Sequence, residues 1–201
     1  MEPLRLFIAI ELPLALLQEI DRVVAPLRLR IPGELIRWVP YQNIHLTLKF
    51  LGEVSPSNVE LICQAMAQEA SRHSPFMLTI EGWGVFPELK RPRVLWIGIQ
   101  APPELFRLQR GIDAITQRLG YLSEERSFTP HLTIGRVRAQ ASPEEIVLIR
   151  SSLQSFSLDF KDSFTVNAIH LIKSDLQPQG ARYTRLFTAP LSATEVTSER
   201  P

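Results

Sequence analysis

Two histidines, each followed two positions later by a threonine, are the residues of this sequence best suited to catalysis. They form the triplets HLT at His45–Thr47 and His131–Thr133. Because an imidazole has an ordinary pKa of about 6.5, one histidine of a pair can accept a proton while the other donates one near neutral pH. Such a pair suits displacement at phosphorus, where water loses a proton and the leaving oxygen gains one. The hydroxyls of Thr47 and Thr133 can donate hydrogen bonds to non-bridging phosphate oxygens.

Alternation along a strand predicts which way these side chains point, because residues i and i+2 share a face. In the first segment, HLTLKF, the face with the histidine and threonine also carries Lys49, and the opposite face carries Leu46, Leu48 and Phe50. The second segment, HLTI, repeats the pattern. We expect the leucine-bearing faces to pack in the core and both histidine–threonine pairs to lie on open faces.

The motifs of two rival chemistries are missing from the sequence. A catalytic metal site needs ligands at spacings such as H-x-H or H-E-x-x-H, and a serine hydrolase of the α/β type has G-x-S-x-G. Neither pattern occurs, so we expect no metal and no cofactor. A structural alternative is a duplicated strand that kept its packing residues, but this explains the leucines and threonines better than the histidines.

The two triplets belong to an internal repeat. An apolar strand that ends at proline, RLFIAIELP from Arg5, returns as VLWIGIQAP from Val94. Each half then predicts a helix, the strand with the triplet, a second helix and a closing strand. The first helices are predicted at 14–27 and 104–119, the second helices from Ser-Pro pairs at 55–56 and 142–143 to about 73 and 154, the closing strands from Phe76 and Phe164, and an extra strand near 183–188.

This order of elements predicts an α+β fold with mainly antiparallel sheets. We expect a single bilobed domain over residues 1–189, with an internal repeat of about 4–87 and 93–175. Each pseudo-symmetric lobe contributes one histidine–threonine pair to a central cleft. Periodicity is lost after 189, so residues 190–201 are predicted to form a flexible tail.

Composition narrows the class of partner and the cellular location. The 22 basic and 21 acidic residues leave a net charge of +1, so a phosphate site must be local rather than part of a global field. The sequence shows no apolar run of membrane-spanning length and no signal-peptide pattern. Cys63 is the lone cysteine, which excludes internal disulfides. We expect a cytoplasmic protein without a membrane or an evident protein partner.

The segments HLTLKFLGEV and SFTPHLTIGR, with RLFIAIELP upstream, resemble the RNA 2′,3′-cyclic phosphodiesterases, historically called 2′-5′ RNA ligases, of the 2H phosphoesterase superfamily. The resemblance covers the chain to about Thr188. It implies a bilobed α+β fold with both motifs in a cleft, and hydrolysis of a terminal 2′,3′-cyclic phosphate on RNA to a 2′-phosphate. It also implies that His45 is the proton donor and His131 the proton acceptor, and that the reverse reaction joins RNA ends through a 2′-5′ bond.

Two aromatic residues occupy matching positions in the first strands of the repeat. Phe7 shares its face with Ala9 and Glu11, and Trp96 is the counterpart of Phe7 in the second copy. An aromatic ring beside a small residue can support a nucleobase by stacking. Packing between the two lobes explains the same pattern equally well, and the sequence does not decide between them.

Four further residues are candidates for substrate binding. Arg126 lies in a predicted loop shortly before His131, from which it can reach a phosphate. Arg136 has the parity of the core face and points away from the cleft unless a β-bulge intervenes. Lys49 either binds the substrate chain or is solvated at the cleft rim, and Tyr183 either borders the cleft or belongs to the core.

Three functions fit these residues. The first is a phosphodiesterase for the cyclic phosphate on RNA ends, and the second is a related enzyme for small nucleotides that carry a cyclic phosphate. The third is a non-catalytic RNA-binding module. Only the two enzymes would turn over a nucleoside 2′,3′-cyclic phosphate in the presence of EDTA.

Overall fold

A computed structural model of the protein describes residues 2–123, 126–177 and 180–192. This part of the chain contains four α-helices and nine β-strands. The helices are α1 (Leu14–Arg30), α2 (Val59–Ala70), α3 (Pro103–Arg118) and α4 (Pro143–Gln154). The strands are β1 (Leu4–Glu11), β2 (Ile36–Trp38), β3 (His45–Val54), β4 (Phe76–Phe86), β5 (Val94–Gln100), β6 (His131–Val137), β7 (Lys161–Val166), β8 (Ala168–Gln177) and β9 (Gly180–Pro190). The expected α+β class is confirmed.

The strands form two antiparallel sheets that do not follow the boundary between the repeats. The first sheet has the order β3-β1-β8-β9, and the second has the order β2-β6-β5-β4-β7. The closing strand of the first repeat, β4, therefore lies in the sheet that contains the second triplet. Strand β8 of the second repeat lies in the sheet that contains the first triplet. The two lobes exchange their closing strands, which ties them together.

The stretch predicted as one closing strand from Phe164 consists of two strands in different sheets. Strand β7 pairs with β4, and strand β8 pairs with β1 and β9. Asn167 lies between them, and its carbonyl accepts a hydrogen bond from the Leu191 N–H at 2.8 Å. The alternating sequence does not mark this break, because each segment is a good strand by itself and only the pairing partners differ.

The two Ser-Pro pairs behave differently. Ser142 caps α4 as predicted, with a capping box in which its hydroxyl accepts from the Glu145 N–H and the Glu145 carboxylate accepts from the Ser142 N–H. Ser55 is the N-cap of a 3₁₀ turn with Pro56 at its start, but its side chain makes no capping hydrogen bond. A turn of 3₁₀ helix at Pro56–Asn58 precedes α2, so the α-helix begins three residues later than the pattern indicates.

Strand β3 contains a β-bulge directly after its threonine. In the pairing with β1, successive residues of β1 lie opposite Thr47 and Lys49, so that Leu48 is the extra residue. A bulge reverses the alternation of faces beyond it. Phe50, which was expected in the core, is consequently 54% exposed, and Lys49 is only 2% exposed. The predicted faces of both residues were wrong.

Strand β6 has a bulge at the equivalent place. In its pairing with β5, successive residues of β5 lie opposite Thr133 and Gly135, so that Ile134 is the extra residue. Arg136 therefore leaves the parity of the core face and is exposed. The sequence allowed Arg136 to point towards the cleft only if a β-bulge intervened, and this bulge is present.

One hydrophobic core includes side chains from both sheets and from all four helices. Leu191 belongs to this core and is buried, so the packed fold includes the first residues that the sequence assigned to the tail. Residues 193–201 of that tail lie outside the described part of the chain. Within the described ranges, the protein has no helix that is both long enough and apolar enough to cross a membrane.

Candidate active site

The His45 ring is held at the start of β3 by three neighbours. Its Nδ1–H donates to the Asn43 carbonyl at 2.8 Å, which leaves Nε2 to accept or donate a proton. The ring stacks on Phe7 with centroids 4.7 Å apart, and Tyr183 approaches edge-on at 5.3 Å. This contact explains why Phe7 is itself buried.

The His131 ring is held at the start of β6 in the same way. Its Nδ1–H donates to the carbonyl of Thr129, again two residues earlier, at 2.7 Å. Phe86 of β4 approaches the imidazole edge-on, with centroids 5.0 Å apart. Both histidines therefore have one nitrogen fixed by the backbone, and both keep Nε2 for chemistry.

Burial lowers the pKa of the His45 imidazole below its ordinary value. The Asn43 carbonyl and the Glu11 carboxylate oppose this effect, while the charges of Arg136 and His131 add to it. Strands β3 and β6 are in contact, which brings the two histidines near enough for the charge of His131 to act on His45. His45 is thus neutral near pH 7 in the free protein, and an anionic phosphate beside it favours its protonated form.

Two cavities lie on either side of the histidines. The larger, about 890 Å³, is lined by Thr47 and His131 together with Arg126 and Phe50. The smaller, about 290 Å³, is lined by His45 with Glu11, Tyr183, Arg185 and mainly apolar neighbours. Three of the four residues of the histidine–threonine pairs therefore border one or the other of these two cavities. The fourth, Thr133, lies opposite Trp96 on the same sheet as His131.

Lys49 is not solvated at the rim. Its ammonium group donates to the Asp113 carboxylate at 2.6 Å and to the Leu122 carbonyl at 2.5 Å. The Lys49 bond, with a further bond from Ser123, lowers the pKa of the Asp113 carboxyl despite partial burial. These contacts join α3 to β3 beside the larger cavity. The alternative of a solvated Lys49 was wrong, because the bulge at Leu48 turns the Lys49 side chain inward.

Trp96 lies on the backbone of Gly84 and beside Phe86, whose ring centroid is 5.1 Å away. Its indole Nε1 is buried and has no hydrogen-bond partner among the described residues. Phe7 instead contacts His45 and Tyr183. These contacts of Phe7 lie within its own sheet rather than between the lobes, and base stacking on either ring stays a prediction.

Tyr183 contacts His45, and the charge of Arg136 acts on both residues. Tyr183 is half-buried, and burial raises the pKa of its hydroxyl, while nearby arginines including Arg136 lower it. The charge of Arg136 also acts on His45. Tyr183 lines the smaller cavity and Arg126 the larger one, and Arg136 acts on the site through its charge.

Glu11 is the residue of the site that sequence reasoning missed. It lies opposite His45 in the pairing of β1 with β3, and it forms an ion pair with Arg185 of β9. His170 of β8 is 4.0 Å from the same carboxylate. The signal was present in the strand parity, because Glu11 shares the face of Phe7, but its partners come from the other end of the chain.

No three His, Cys, Asp or Glu side chains converge as metal ligands in residues 2–123, 126–177 and 180–192. The two histidines each keep an Nε2 that is able to accept or donate a proton. Their arrangement can serve a displacement in which one nitrogen stands on each side of a phosphorus atom.

Comparison with known proteins agrees with this geometry. The family model described as LigT like Phosphoesterase matches the chain twice in succession, at residues 10–96 and 97–183. Each match contains one histidine–threonine motif, which confirms that the chain carries an internal repeat.

Similar proteins have both the length and the fold of this chain. The sequence is 31% identical over 180 residues to the RNA 2′,3′-cyclic phosphodiesterase of Methanothermobacter thermautotrophicus, covering 90% of this chain and 95% of that protein. It is 35% identical over 141 residues to the protein of the same name from Escherichia coli, covering 70% and 76%. The crystal structure of E. coli LigT complexed with 3′-AMP superposes with a TM-score of 0.77 at 31% identity, covering 94% of this chain and 99% of that one. The repeated family match and these relatives show that the chain belongs to the LigT-like phosphoesterases of the 2H superfamily, as its two motifs predicted.

Proposed function

We propose that this enzyme hydrolyses the 2′,3′-cyclic phosphate at the end of an RNA to a 2′-phosphate, by general acid–base catalysis without a metal. The observation that carries the proposal is the matched pair of histidines. In each ring a backbone carbonyl two residues earlier accepts from Nδ1–H, and Nε2 is left for proton transfer. The name RNA 2′,3′-cyclic phosphodiesterase, given to relatives with about a third of their residues identical, supports the substrate class.

In this mechanism a water molecule lies beside Nε2 of His131, which accepts its proton as the oxygen attacks phosphorus. The bond from phosphorus to the 3′-oxygen of the ribose breaks, and Nε2 of His45 donates a proton to that oxygen. The products are a 2′-phosphate and a free 3′-hydroxyl. The direction of proton transfer follows the roles that the family resemblance implies, since the two rings have equivalent backbone bonds.

Threonine hydroxyls and a guanidinium group stabilise the phosphate during the displacement. Thr47 and Thr133 lie on the open faces of their strands and can donate to the two non-bridging oxygens. Arg136, which acts electrostatically on His45, adds positive charge at the same place. Negative charge on the phosphate in turn raises the pKa of the nearby His45 imidazole, so that substrate binding prepares the proton donor.

The same site supports joining of RNA ends when a 5′-hydroxyl takes the place of water. The 5′-hydroxyl of a second strand would give its proton to His131 and its oxygen would bond to phosphorus, while the bond from phosphorus to the 3′-oxygen breaks and His45 protonates that oxygen, which leaves a 2′-5′ phosphodiester. The cavity on the His131 side, about 890 Å³ with Arg126 on its wall, has room for the nucleoside that carries this hydroxyl.

A small cyclic nucleotide is the second candidate substrate. Solved complexes of E. coli LigT with 3′-AMP, NADP+ and ATP show that this relative binds small nucleotides. Both candidates require the same chemistry at phosphorus, and a non-catalytic RNA-binding module would not need two fixed imidazoles. We further propose a cytoplasmic location, which fits a chain whose lone cysteine excludes an internal disulfide.

The decisive experiment is turnover of a nucleoside 2′,3′-cyclic phosphate in EDTA, with the product identified by phosphorus NMR. We expect a 2′-phosphate to accumulate at the same rate with and without the chelator. A 3′-phosphate would contradict the assigned leaving oxygen. An absence of turnover on both nucleoside and RNA substrates would reject the enzyme altogether and favour the binding module.

A further inference from the structure

Three arginines lie within electrostatic range of the Tyr183 hydroxyl at the edge of the catalytic cleft. The charges of Arg136, Arg5 and Arg37 all act on this hydroxyl. They come from β6, β1 and β2, whereas Tyr183 comes from β9. We call Arg5, Arg37 and Arg136 the arginine cluster. Its members are distant in sequence, and only the tertiary structure assembles it.

Two members of the cluster lie side by side on the second sheet. Arg37 and Arg136 are directly opposite each other in the antiparallel pair of β2 and β6. Such residues share a face, with Cβ atoms about 4.5–5.5 Å apart, and like charges in this position repel. Arg37 also reaches towards β9, where its Nη2 is 3.6 Å from the place that a Cβ would take on Gly180.

The third member lies on the first sheet beside the aromatic support of His45. Arg5 and Phe7 share a face of β1, because they are two residues apart in a strand whose extra residues all lie on its partner. The ring of Phe7 is 5.2 Å from that of Tyr183 and 4.7 Å from that of His45. The cluster is therefore contiguous with the catalytic site.

The charges of the cluster are not neutralised by the described residues. All three arginines are exposed, and none forms an ion pair in the described part of the chain. Glu53 lies opposite Arg5 in the pairing of β1 with β3, but the two do not come within ion-pair distance. Elsewhere, exposed arginines that do have acidic partners include Arg22, Arg72, Arg107 and Arg185.

An anion of matching geometry would relieve this repulsion. Guanidinium groups bind phosphate through paired N–H donors. Several guanidinium groups close to one another therefore suit a bound phosphate. Arg136 follows the His131–Thr133 motif in β6 and its charge acts on His45, whereas its neighbour Arg37 reaches towards Gly180 of β9, so the cluster extends from the predicted position of the cyclic phosphate towards β9. The next phosphate of an RNA is the phosphodiester on the 5′-oxygen of its terminal nucleotide.

We propose that Arg5 and Arg37, together with the Tyr183 hydroxyl, bind the phosphodiester that links the terminal nucleotide of the RNA to the one before it. This inference rests on the proposed function and adds a substrate preference to it. Through this second phosphate site the enzyme distinguishes the end of an RNA chain from a single nucleoside cyclic phosphate.

The test compares kcat/KM for two substrates of one site. The first is a dinucleotide that ends in a 2′,3′-cyclic phosphate, and the second is the corresponding mononucleoside cyclic phosphate with a free 5′-hydroxyl. We expect Arg5→Ala and Arg37→Ala each to lower kcat/KM about tenfold or more on the dinucleotide, as loss of a charge-assisted hydrogen bond does. The loss on the mononucleoside should be several times smaller, and added salt should reduce the dinucleotide preference of the wild type.

Arg182→Ala is the matched control. Arg182 is exposed and adjacent to Tyr183 in β9, but successive strand residues point to opposite faces, so its removal changes the net charge equally and should leave the substrate ratio unchanged. Melting temperatures of all variants report on folding, and Arg5→Lys and Arg37→Lys should recover part of the preference.

A third substrate, the mononucleoside cyclic phosphate with a 5′-phosphate, separates RNA from a small nucleotide as the ligand. If only this compound responded to Arg5→Ala and Arg37→Ala, the site would bind a terminal phosphate and our proposal would be overturned. Equal losses on the dinucleotide and on the 5′-hydroxyl mononucleoside would also overturn it. If the wild type turned over neither of these two substrates, the proposed function itself would fail, which is a distinguishable result.

Discussion

Leu48 and Ile134 occupy equivalent positions in the two repeats, and each is the extra residue of a β-bulge directly after the threonine of its histidine–threonine motif. The bulges turn the next residue of each strand inward and the one after it outward. Phe50 is thereby exposed at the cleft in one repeat and Arg136 in the other. At these positions the repeat is symmetric in backbone but asymmetric in charge.

We expect His45→Ala and His131→Ala each to lower kcat/KM for a nucleoside 2′,3′-cyclic phosphate by about 10²–10⁴-fold, because each removes a proton carrier. Circular dichroism should show an unchanged fold, since both side chains lie on the open face of their strands. His73→Gln is the control, because His73 lies outside the two cavities of the site. Its Nε2 is 2.9 Å from the Glu69 carboxylate. Retention of more than about a tenth of the rate in either alanine variant would be incompatible with general acid–base catalysis by both histidines.

Thr47→Val and Thr133→Val preserve the shape of a β-branched side chain but remove the hydroxyl. If each hydroxyl stabilises charge on the phosphate, the reaction should slow by on the order of 10²-fold in each variant, as for the loss of an oxyanion-hole donor. Steady-state kinetics with a melting curve as the folding control would measure this. Unchanged rates in both variants would reduce the threonines to strand-forming residues.

The pH profile of kcat/KM should be a bell that survives EDTA. One histidine must be neutral and the other protonated, so the rate rises and then falls, and the two apparent pKa values belong to the pair. A metal-bound hydroxide would instead give a single rising limb near neutrality that EDTA removes. Measuring the profile with and without the chelator separates the two mechanisms, and a chelator-sensitive sigmoid would exclude ours.

Glu11→Gln should move the optimum of this bell to lower pH and reduce its maximum. The Glu11 carboxylate favours protonated His45 and raises its pKa, whereas burial, Arg136 and His131 lower it. Loss of the carboxylate charge therefore lowers the pKa of His45 further. The optimum lies midway between the two apparent pKa values, so it follows in the same direction. An optimum that stayed in place or rose would show that Glu11 does not act on the proton donor.

Lys49→Met should lower the free energy of unfolding by about 1–3 kcal/mol, because it removes a buried partner of the Asp113 carboxylate. The pKa of Asp113 is lowered in the folded protein, so its contribution is present above the unfolded value and is lost as pH falls through the folded value. Urea unfolding at pH 7 and in acid measures both effects, with Asp113→Asn and the double variant completing a cycle. A coupling energy near zero, or one that grew in acid, would contradict the ion pair.

Local sequence by itself determined the chemistry and the identity of most elements. The types and spacing of His45, Thr47, His131 and Thr133 indicated a two-histidine phosphoesterase; family comparison confirms that the chain is a phosphoesterase, and the roles of the histidines stay a prediction. Strand alternation correctly predicted that Leu46 and Leu132 are buried. The capping box at Ser142 was also predictable. These features depend on residues within a few positions of one another, where side-chain type and backbone periodicity carry the information.

Only the tertiary structure decided which strands meet and what they bring to the site. The bulges at Leu48 and Ile134, the exchange of β4 and β8, and the approach of Glu11 to His45 depend on hydrogen-bond register between distant segments. Register is set by the packing of whole sheets, and a shift of one residue moves a side chain to the opposite face. Residue types therefore predicted the reaction, and pairing between strands decided which charges surround it.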